Sequence, residues 1–456
     1  MTDPSHPPAP RSDRHLRALA ATVAVLLAIA AAVLNDAVNP RLQAVAGIVC
    51  FVAVVAACSA NLRAVNWRTV GWGMALQLGL ALFILKLEVG GVRPGYAFFS
   101  EAAELVKQFL EFTNAGSQFV FGPLANQAGM DRVFGAGQGF VFAFTALPTI
   151  IFVSSFFTVL YYFGVLQFIV RLFARAMMYA MHTSGAETLS ASANVFMGQT
   201  EAPIIVKPYI PLMTQSELLA LMVGGMATIS GGVMAVYITL GADPVAILTT
   251  SVMAAPCGLY LAKILYPEME KPVTSGEVKV AVERPHTNVI DAAAAGASDG
   301  TILAINVAAM LIAFLAFIAL FDYILAGLGS RIGVPDLSLA RIFAVVFTPV
   351  AVLMGVPSQD VPAMGDLLGT KLVTNEFVAY IKLTGQYRET LTPRSYTLAT
   401  YALTGFANFA SVGILLGGIG GMAPGRRGDL ARLGSRALLA GFLATMINAS
   451  MAAALL

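Results

Sequence analysis

The chain has 456 residues, 58% of them hydrophobic and only 11% charged, with a formal net charge of +2. Soluble domains typically carry about 25% charged residues, so the composition excludes an ordinary soluble fold and points to a polytopic membrane protein. The near-neutral balance gives no footing for nucleic-acid binding. Cys50, Cys58 and Cys257 show neither metal-ligand nor disulfide-framework spacing and read as packing residues.

A helix needs about 20 apolar residues to cross the hydrocarbon core. After a basic tail holding Arg11, Arg14 and Arg17, the run Ala18 to Leu34 comes close to that length. It imitates a signal peptide, but no convincing cleavage site precedes the next span, and an uncleaved first helix is the better reading. Leu42 to Ser59 and Val70 to Leu85 follow as spans, with Trp67 and Trp72 at a water boundary. Between Val89 and Phe134, Glu101, Glu104, Lys107 and Glu111 recur at helical spacing, which predicts an amphipathic helix lying at an interface. The uncharged run between Arg132 and Arg171 supplies another span.

Ser184 to Val206 is apolar enough for the membrane but too broken to cross it. Gly198 and Pro203 bracket the polar cluster Gln199, Thr200 and Glu201. A straight helix would leave these groups in lipid, whereas a re-entrant hairpin with its tip in a protein-lined cavity satisfies them. Spans at Leu218 to Leu240 and Pro244 to Leu265 come next. Tyr266 to Asp291, with mixed charges and Pro267, Pro272 and Pro285, reads as a soluble connector between two halves.

Beyond it lie candidate spans at Leu303 to Phe321 and Ala340 to Met354. Met354 to Tyr380 repeats the hairpin ingredients, with Gly355, Pro357, Pro362 and Gly365 before the polar pair Asn375 and Glu376. Tyr396 to Ile419 and Leu438 to Leu455 close the chain. The hairpins are followed by "GGMATISGGVMAVY" and "GFANFASVGILLGGIGG", spans interrupted by small residues. Corresponding interrupted segments in two halves point to the midplane site of a secondary transporter. Arginines in the N-terminal tail, in "NLRAVNWR" and in "APGRRGDLARLGSR" put those three segments on the cytoplasmic side, and Leu456 outside.

Intramembrane acids are functional candidates because each costs about 3 kcal/mol unless solvated or paired. Glu201 and Glu376 therefore lead; the bland alternative is a cap or a pair inside a bundle. Gln199, Thr200, Asn408 and Ser411 could also serve to glue helices together. Lys207 and Lys371 read as snorkelling to an interface, and Asp360 and Asp366 as facing water at the rim of the second hairpin. Gly198, Gly224, Gly225, Gly231, Gly232, Gly417, Gly418, Gly420 and Gly421 read as permitting close helix approach.

"NVFMGQTEAPIIVKPYIPLMTQSELLALMVGGMATISGGVMAVY", "NVIDAAAAGASDG", "TKLVTNEFVAY" and "GFANFASVGILLGGIGGMAPGRRGDLARLG" together resemble the concentrative nucleoside transporter family. The resemblance runs from about Gly73 to the C-terminus and leaves the first helix, Ala18 to Leu34, without a role. It implies an all-α polytopic membrane protein with about nine transmembrane helices and two re-entrant hairpins. It also implies a bacterial inner-membrane homotrimer, in which a fixed scaffold holds an inverted-repeat transport domain that moves like an elevator. On this sequence the domains fall at 1–17 (cytoplasmic tail), 18–134 (N-terminal helices with the interfacial helix), 135–265 (first repeat, hairpin at about 184–206), 266–297 (connector), 298–425 (second repeat, hairpin at about 354–380) and 426–456 (basic loop and last helix).

The resemblance further implies that Gln199, Thr200 and Glu201 bind the nucleobase, that Glu376, Asn408 and Ser411 hold the ribose hydroxyls, and that Phe406 and Val233 give apolar contacts. A carboxylate beside an amide is a natural clamp for vicinal hydroxyls. Sodium, the expected coupling ion, would take the Asn194 side chain, the Met197 carbonyl, the Thr228 hydroxyl and the Ile229 carbonyl. Ser358 stands where many members carry tryptophan, a departure that keeps a proton as the alternative coupling ion. One segment, Asn194 to Pro203, would then serve base and cation together.

A passive channel and an intramembrane enzyme are the rival classes. His6, His15, His182 and His286 are scattered and form no HExxH pair, which removes a zinc protease. No serine–histidine arrangement is evident either.

Overall fold

The structure, a computed structural model, describes residues 11–33, 38–135, 139–274, 286–334 and 336–456. Most of the expected tail, with His6, and connector residues 275–285, Pro285 among them, lie outside the described residues. Three apolar helices come first: α1 (Arg11–Val33), α2 (Pro40–Ala57) and α3 (Trp67–Leu85). Asn39 and Asn66 start α2 and α3 by accepting the first free backbone N–H groups. Trp67 and Trp72, on the first turns of α3, are exposed, while Cys50 and Cys257 are buried and Cys58 is exposed.

The single amphipathic helix expected between Val89 and Phe134 is three helices: α4 (Pro94–Glu111), α5 (Thr113–Phe121) and α6 (Gln127–Phe134). Gly122, at φ +57°, ends α5, and Pro123 follows, so no continuous helix can pass.

The remaining helices run through one pattern twice. The first pass has α7 (Phe142–Thr145) and α8 (Leu147–Phe163) as a span and α9 (Val165–Met181) as an amphipathic helix. A hairpin follows, with α10 (Gly185–Ala193), a turn, and a 3-10 stretch Ala202–Leu212. The expected span Leu218 to Leu240 is broken into α11 (Gln215–Ala227) and α12 (Gly231–Leu240), and α13 (Pro244–Leu265) completes the pass.

The second pass opens with α14 (Val289–Arg331), a 43-residue helix, roughly 65 Å long at 1.5 Å per residue. It far exceeds the expected Leu303 to Phe321, because charged ends extend a helix as readily as apolar residues do when no breaker intervenes. The expected span Ala340 to Met354 is corrected: α15 (Leu339–Leu353) has 15 residues, roughly 22 Å, too short for a core of about 30 Å. It is the amphipathic counterpart of α9. The arms α16 (Val361–Val373) and α17 (Glu376–Thr384) form the second hairpin. The expected span Tyr396 to Ile419 is likewise broken, into α18 (Pro393–Leu403) and α19 (Phe409–Met422), before α20 (Arg427–Leu455). Among the described residues eight helical stretches are long and apolar enough to cross a membrane, and the broken α18–α19 pair is additional to them.

Hydrogen bonds between elements show that the two passes are inverted. On one face the Ser59 hydroxyl donates to the Ile264 carbonyl, Asp13 accepts the Leu62 N–H, and Arg426 donates to the Met213 carbonyl beside the start of α11. On the other, Arg41 donates to Leu456, Tyr396 to the Gly241 carbonyl and Arg394 to the Ala453 carbonyl. Helices α11 and α18 therefore enter from opposite faces. Their inner ends meet where the Phe406 N–H donates to the Thr228 carbonyl at 3.1 Å. The passes also interlock, with α11 packed on α20 and α13 on both α18 and α20.

Outside this interlocked unit, α14 packs along α8 through Gly296 and Gly300, where an added Cβ would stand 2.8 Å or less from α8 atoms. Helix α1, which the resemblance left without a role, packs on α2 and α15.

Candidate functional site

The hairpin tips and the two helix breaks converge on one cavity. It is lined by Gln199, Thr200 and Glu201 from the first hairpin, Val233 from α12, Glu376 from α17, and Phe406, Asn408 and Ser411 from the second break. All eight residues singled out for substrate in the sequence are thus brought together.

Each is positioned by local chemistry. Asn375 caps α17 by accepting the Val378 N–H at 2.9 Å, which puts Glu376 in the first helical turn. A half-helix N-terminus is a favourable place for a carboxylate. The Glu376 carboxylate, 5% exposed, accepts the Tyr237 hydroxyl at 3.2 Å on one oxygen and the Asn408 amide at 2.8 Å on the other. Asn408 in turn caps α19, accepting the Ser411 N–H at 2.8 Å. Tyr237 is fixed by stacking on Tyr380, ring centroids 3.9 Å apart.

On the opposite wall the Gln199 amide donates to the Ser411 hydroxyl at 3.4 Å, and its Oε1 is buried with no hydrogen-bond partner. Asn375 Nδ2 is likewise buried and unpartnered. The cavity thus presents one unmet acceptor and one unmet donor, which a polar ligand would satisfy. Glu201 stands at the open side, its Oε2 accepting the Gly198 N–H at 3.0 Å. Glycines allow this crowding: a Cβ at Gly225 would stand 2.8 Å from Gln199 Cβ, and one at Gly418 2.7 Å from Thr200 Cγ2. Gly232, Gly417 and Gly421, by contrast, face open space, so close approach does not explain them.

The four residues expected at the cation lie at the ends of α10 and α11. Asn194 closes α10 and Thr228 closes α11. Asn194 is fully buried; its amide donates to the Ser190 carbonyl at 3.0 Å, and its Oδ1 has no partner. Gly224 joins the two elements, since its carbonyl accepts the Thr228 hydroxyl at 2.9 Å and an added Cβ would stand 2.9 Å from Asn194 Nδ2. The Phe196 carbonyl accepts the Gly231 N–H at 3.0 Å, which brings the stretch containing Met197 against the break containing Ile229. The donor set is oxygen only and partly unsatisfied, which fits a small hard cation.

Several readings change. Lys371 does not snorkel: it is fully buried, its ammonium donating to the Ala402 carbonyl at 2.7 Å and the Thr445 hydroxyl at 2.8 Å. Lys207 is exposed. Asp366 and Asp360 do not face water. Asp366 pairs with Lys382 at 2.9 Å and accepts the Tyr387 hydroxyl at 2.9 Å, which ties the two arms of the second hairpin together. Burial, with the Asp366 carboxylate beside it, pushes the Tyr387 phenol up, so it stays a donor. Asp360 accepts the Thr392 hydroxyl at 2.6 Å.

The cavity also includes residues not assigned to substrate before: Ser230, Asn375, and Leu303, Val307 and Leu311 of α14. Asn375 was visible as the polar neighbour of Glu376. The α14 residues lie in a run that is apolar but for Asn306 and marks no particular face.

Comparison with known proteins gives consistent matches. Family models described as Na+ dependent nucleoside transporter C-terminus and N-terminus match residues 246–453 and 46–124, and one described as nucleoside recognition matches residues 143–244. The chain is 43% identical over 416 residues to an uncharacterized transporter of Haemophilus influenzae, covering 90% of this chain and 97% of that one. It is 40% identical over 451 residues to sodium/nucleoside cotransporter 1 of Mus musculus, covering 95% of this chain but 66% of the mouse protein. The chain therefore spans just under two thirds of that mammalian relative's length. Among solved structures, CNTnw in an inward-facing substrate-bound state superposes with a TM-score of 0.86 at 40% identity, covering 91% of this chain and 98% of that one. An outward-facing state of a CNTnw variant gives 0.85 at 39% identity, covering 91% and 97%.

Proposed function

The chain belongs to the Na+ dependent nucleoside transporter family, and from that premise we propose that it imports nucleosides with sodium across the bacterial inner membrane. The observation that carries this reading is the cavity where two inverted hairpins and two broken helices meet, with a doubly held carboxylate on one wall and an unmet amide oxygen on the other.

Glu376 and Asn408 suit the ribose, because each carboxylate oxygen has a second lone pair free for a substrate hydroxyl. Asn375 Nδ2 adds a donor to the same wall, and Ser411 links Asn408, to which its N–H donates, with Gln199, whose amide its hydroxyl accepts. Gln199, Thr200 and Glu201 suit the edge of the base, while Val233 and Phe406 supply apolar contact. Asn194, Met197, Thr228 and Ile229 suit sodium. Because Asn194 and Gln199 share one short segment, an ion that orders the segment also orders the base contacts, and the two bindings support each other.

The interlocked unit would slide past α14, whose Val307 and Leu311 close the cavity, in an elevator motion. The long exposed apolar face of α14, with Ile312 74% and Tyr323 80% exposed, suits lipid and a homotrimer contact. Uptake of labelled uridine into proteoliposomes tests the whole reading. Accumulation driven by an imposed sodium gradient is expected. Accumulation driven by a proton gradient alone would reassign the ion, and none under either gradient would sink the proposal.

A further inference from the structure

A buried cation lies on the second hairpin. Lys371 is on α16, three residues before Thr374, which closes the helix. Its ammonium meets a carbonyl and a hydroxyl, with the Phe442 ring centroid 5.6 Å away. None of the ion pairs among the described residues involves it. The Glu376 carboxylate acts on it from beyond ion-pair distance. An ammonium without a contacting carboxylate is expensive in a membrane interior, so its immediate surroundings must also compensate it.

The inverted repeat shows how. Thr374 closes the first arm of hairpin two as Asn194 closes that of hairpin one. Each side chain donates to the carbonyl four residues back, Thr370 at 2.6 Å and Ser190 at 3.0 Å. Thr404 closes α18 as Thr228 closes α11, again with each hydroxyl donating four residues back, to Thr400 at 2.6 Å and Gly224 at 2.9 Å. In the first repeat, the arm end and the helix break carry the oxygen atoms read above as the ion site. In the second, the arm itself brings a cation, and the last turn of α18 receives it at Ala402.

The two inner ends lie together, joined by the bond from Phe406 to Thr228. Each half-helix C-terminus carries about half an elementary negative charge. Two such ends side by side repel unless each has positive charge beside it. Carbonyl and hydroxyl are also the ligand types that broken helices offer to sodium.

We propose that Lys371 is a tethered cation, doing for the second repeat what the co-transported ion does for the first, so that the transporter draws one ion from solution per nucleoside. The inference rests on the reading of Asn194 and Thr228 as the ion site.

The test is sodium dependence in proteoliposomes, with protein stability followed by thermal unfolding. The wild type should give a Hill coefficient of about one, since the coefficient is bounded by the number of sites. Lys371→Ala, which removes the charge and opens its space, should need roughly tenfold more sodium, with a coefficient rising toward two. Lys371→Arg should keep a coefficient of about one. A stable Lys371→Ala protein with unchanged sodium dependence and maximal rate overturns the proposal. If the neutral variant does not fold, charge movement in the wild type decides, because two charges per nucleoside with Lys371 intact also overturn it. Asn194→Ala separates the two readings: unchanged sodium dependence there defeats the first-repeat ion site, whereas the Lys371 result can fail while that site stands.

Discussion

Glu376 is held from both sides, so its two supports make separable predictions. Glu376→Gln leaves one acceptor where there were two oxygens, and hydrogen bonds to charged groups are worth about 1.5–3 kcal/mol. Nucleoside affinity should fall roughly 10- to 100-fold, read by equilibrium binding to purified protein. Tyr237 does not line the cavity, and its hydroxyl reaches the site through the carboxylate. Tyr237→Phe should raise the nucleoside KM roughly fivefold with the maximal rate nearly unchanged. A fall in rate at constant KM would show that the tyrosine supports the fold or the motion and does not position the acid. At this scale much was legible: a carboxylate, an amide and a hydroxyl beside a proline in an apolar chain have few structural excuses. Tyr237 was not legible, because an aromatic in an apolar helix reads as packing and its hydroxyl partner is 139 residues away in sequence.

Elements were legible wherever breakers mark them. Gly198 and Pro203 announced the first hairpin, and the small-residue runs announced both broken helices. Length misled where no breaker intervened, as in α14, and where an apolar run was simply short, as in α15. What joins elements was hidden: Asp366 on α16 read as facing water, and nothing in the sequence pairs it with Lys382 on α17, 2.9 Å away in the fold. Removing one partner of such a buried pair costs about 3–5 kcal/mol. Asp366→Asn should therefore lower the unfolding temperature by several degrees in detergent-solubilised protein. Replacing both partners, Asp366→Asn with Lys382→Met, should recover part of that loss. No loss in the single variant would mean that the arms are held by their apolar contacts alone.

At the scale of the molecule, the cavity has two kinds of wall. Hairpins and broken helices supply the polar side, and α14 supplies Leu303, Val307 and Leu311. If the interlocked unit slides, uptake requires these walls to separate. In a cysteine-free background, cysteines at Leu311 on α14 and Ile414 on α19, both lining the cavity, provide the test. A bifunctional thiol reagent should abolish uptake in the pair and spare each single variant. Transport at the normal rate through a cross-linked pair would exclude sliding along α14. The inverted architecture itself was readable only as a pattern, since the two passes share little sequence. It becomes physical through bonds such as Tyr396 to Gly241, which sequence spacing cannot show.

The bond from Phe406 to Thr228 carries one more consequence. In a machine that works by rocking its halves against each other, the seam between the halves must open and shut on every cycle. Here the seam is stitched at its centre by a backbone bond and along its length by α11 lying on α20. In the proposed sliding motion the two halves would therefore travel as one carriage. A covalent tie between α11 and α20 should leave the turnover rate intact, and a stalled carrier would show that the seam does open.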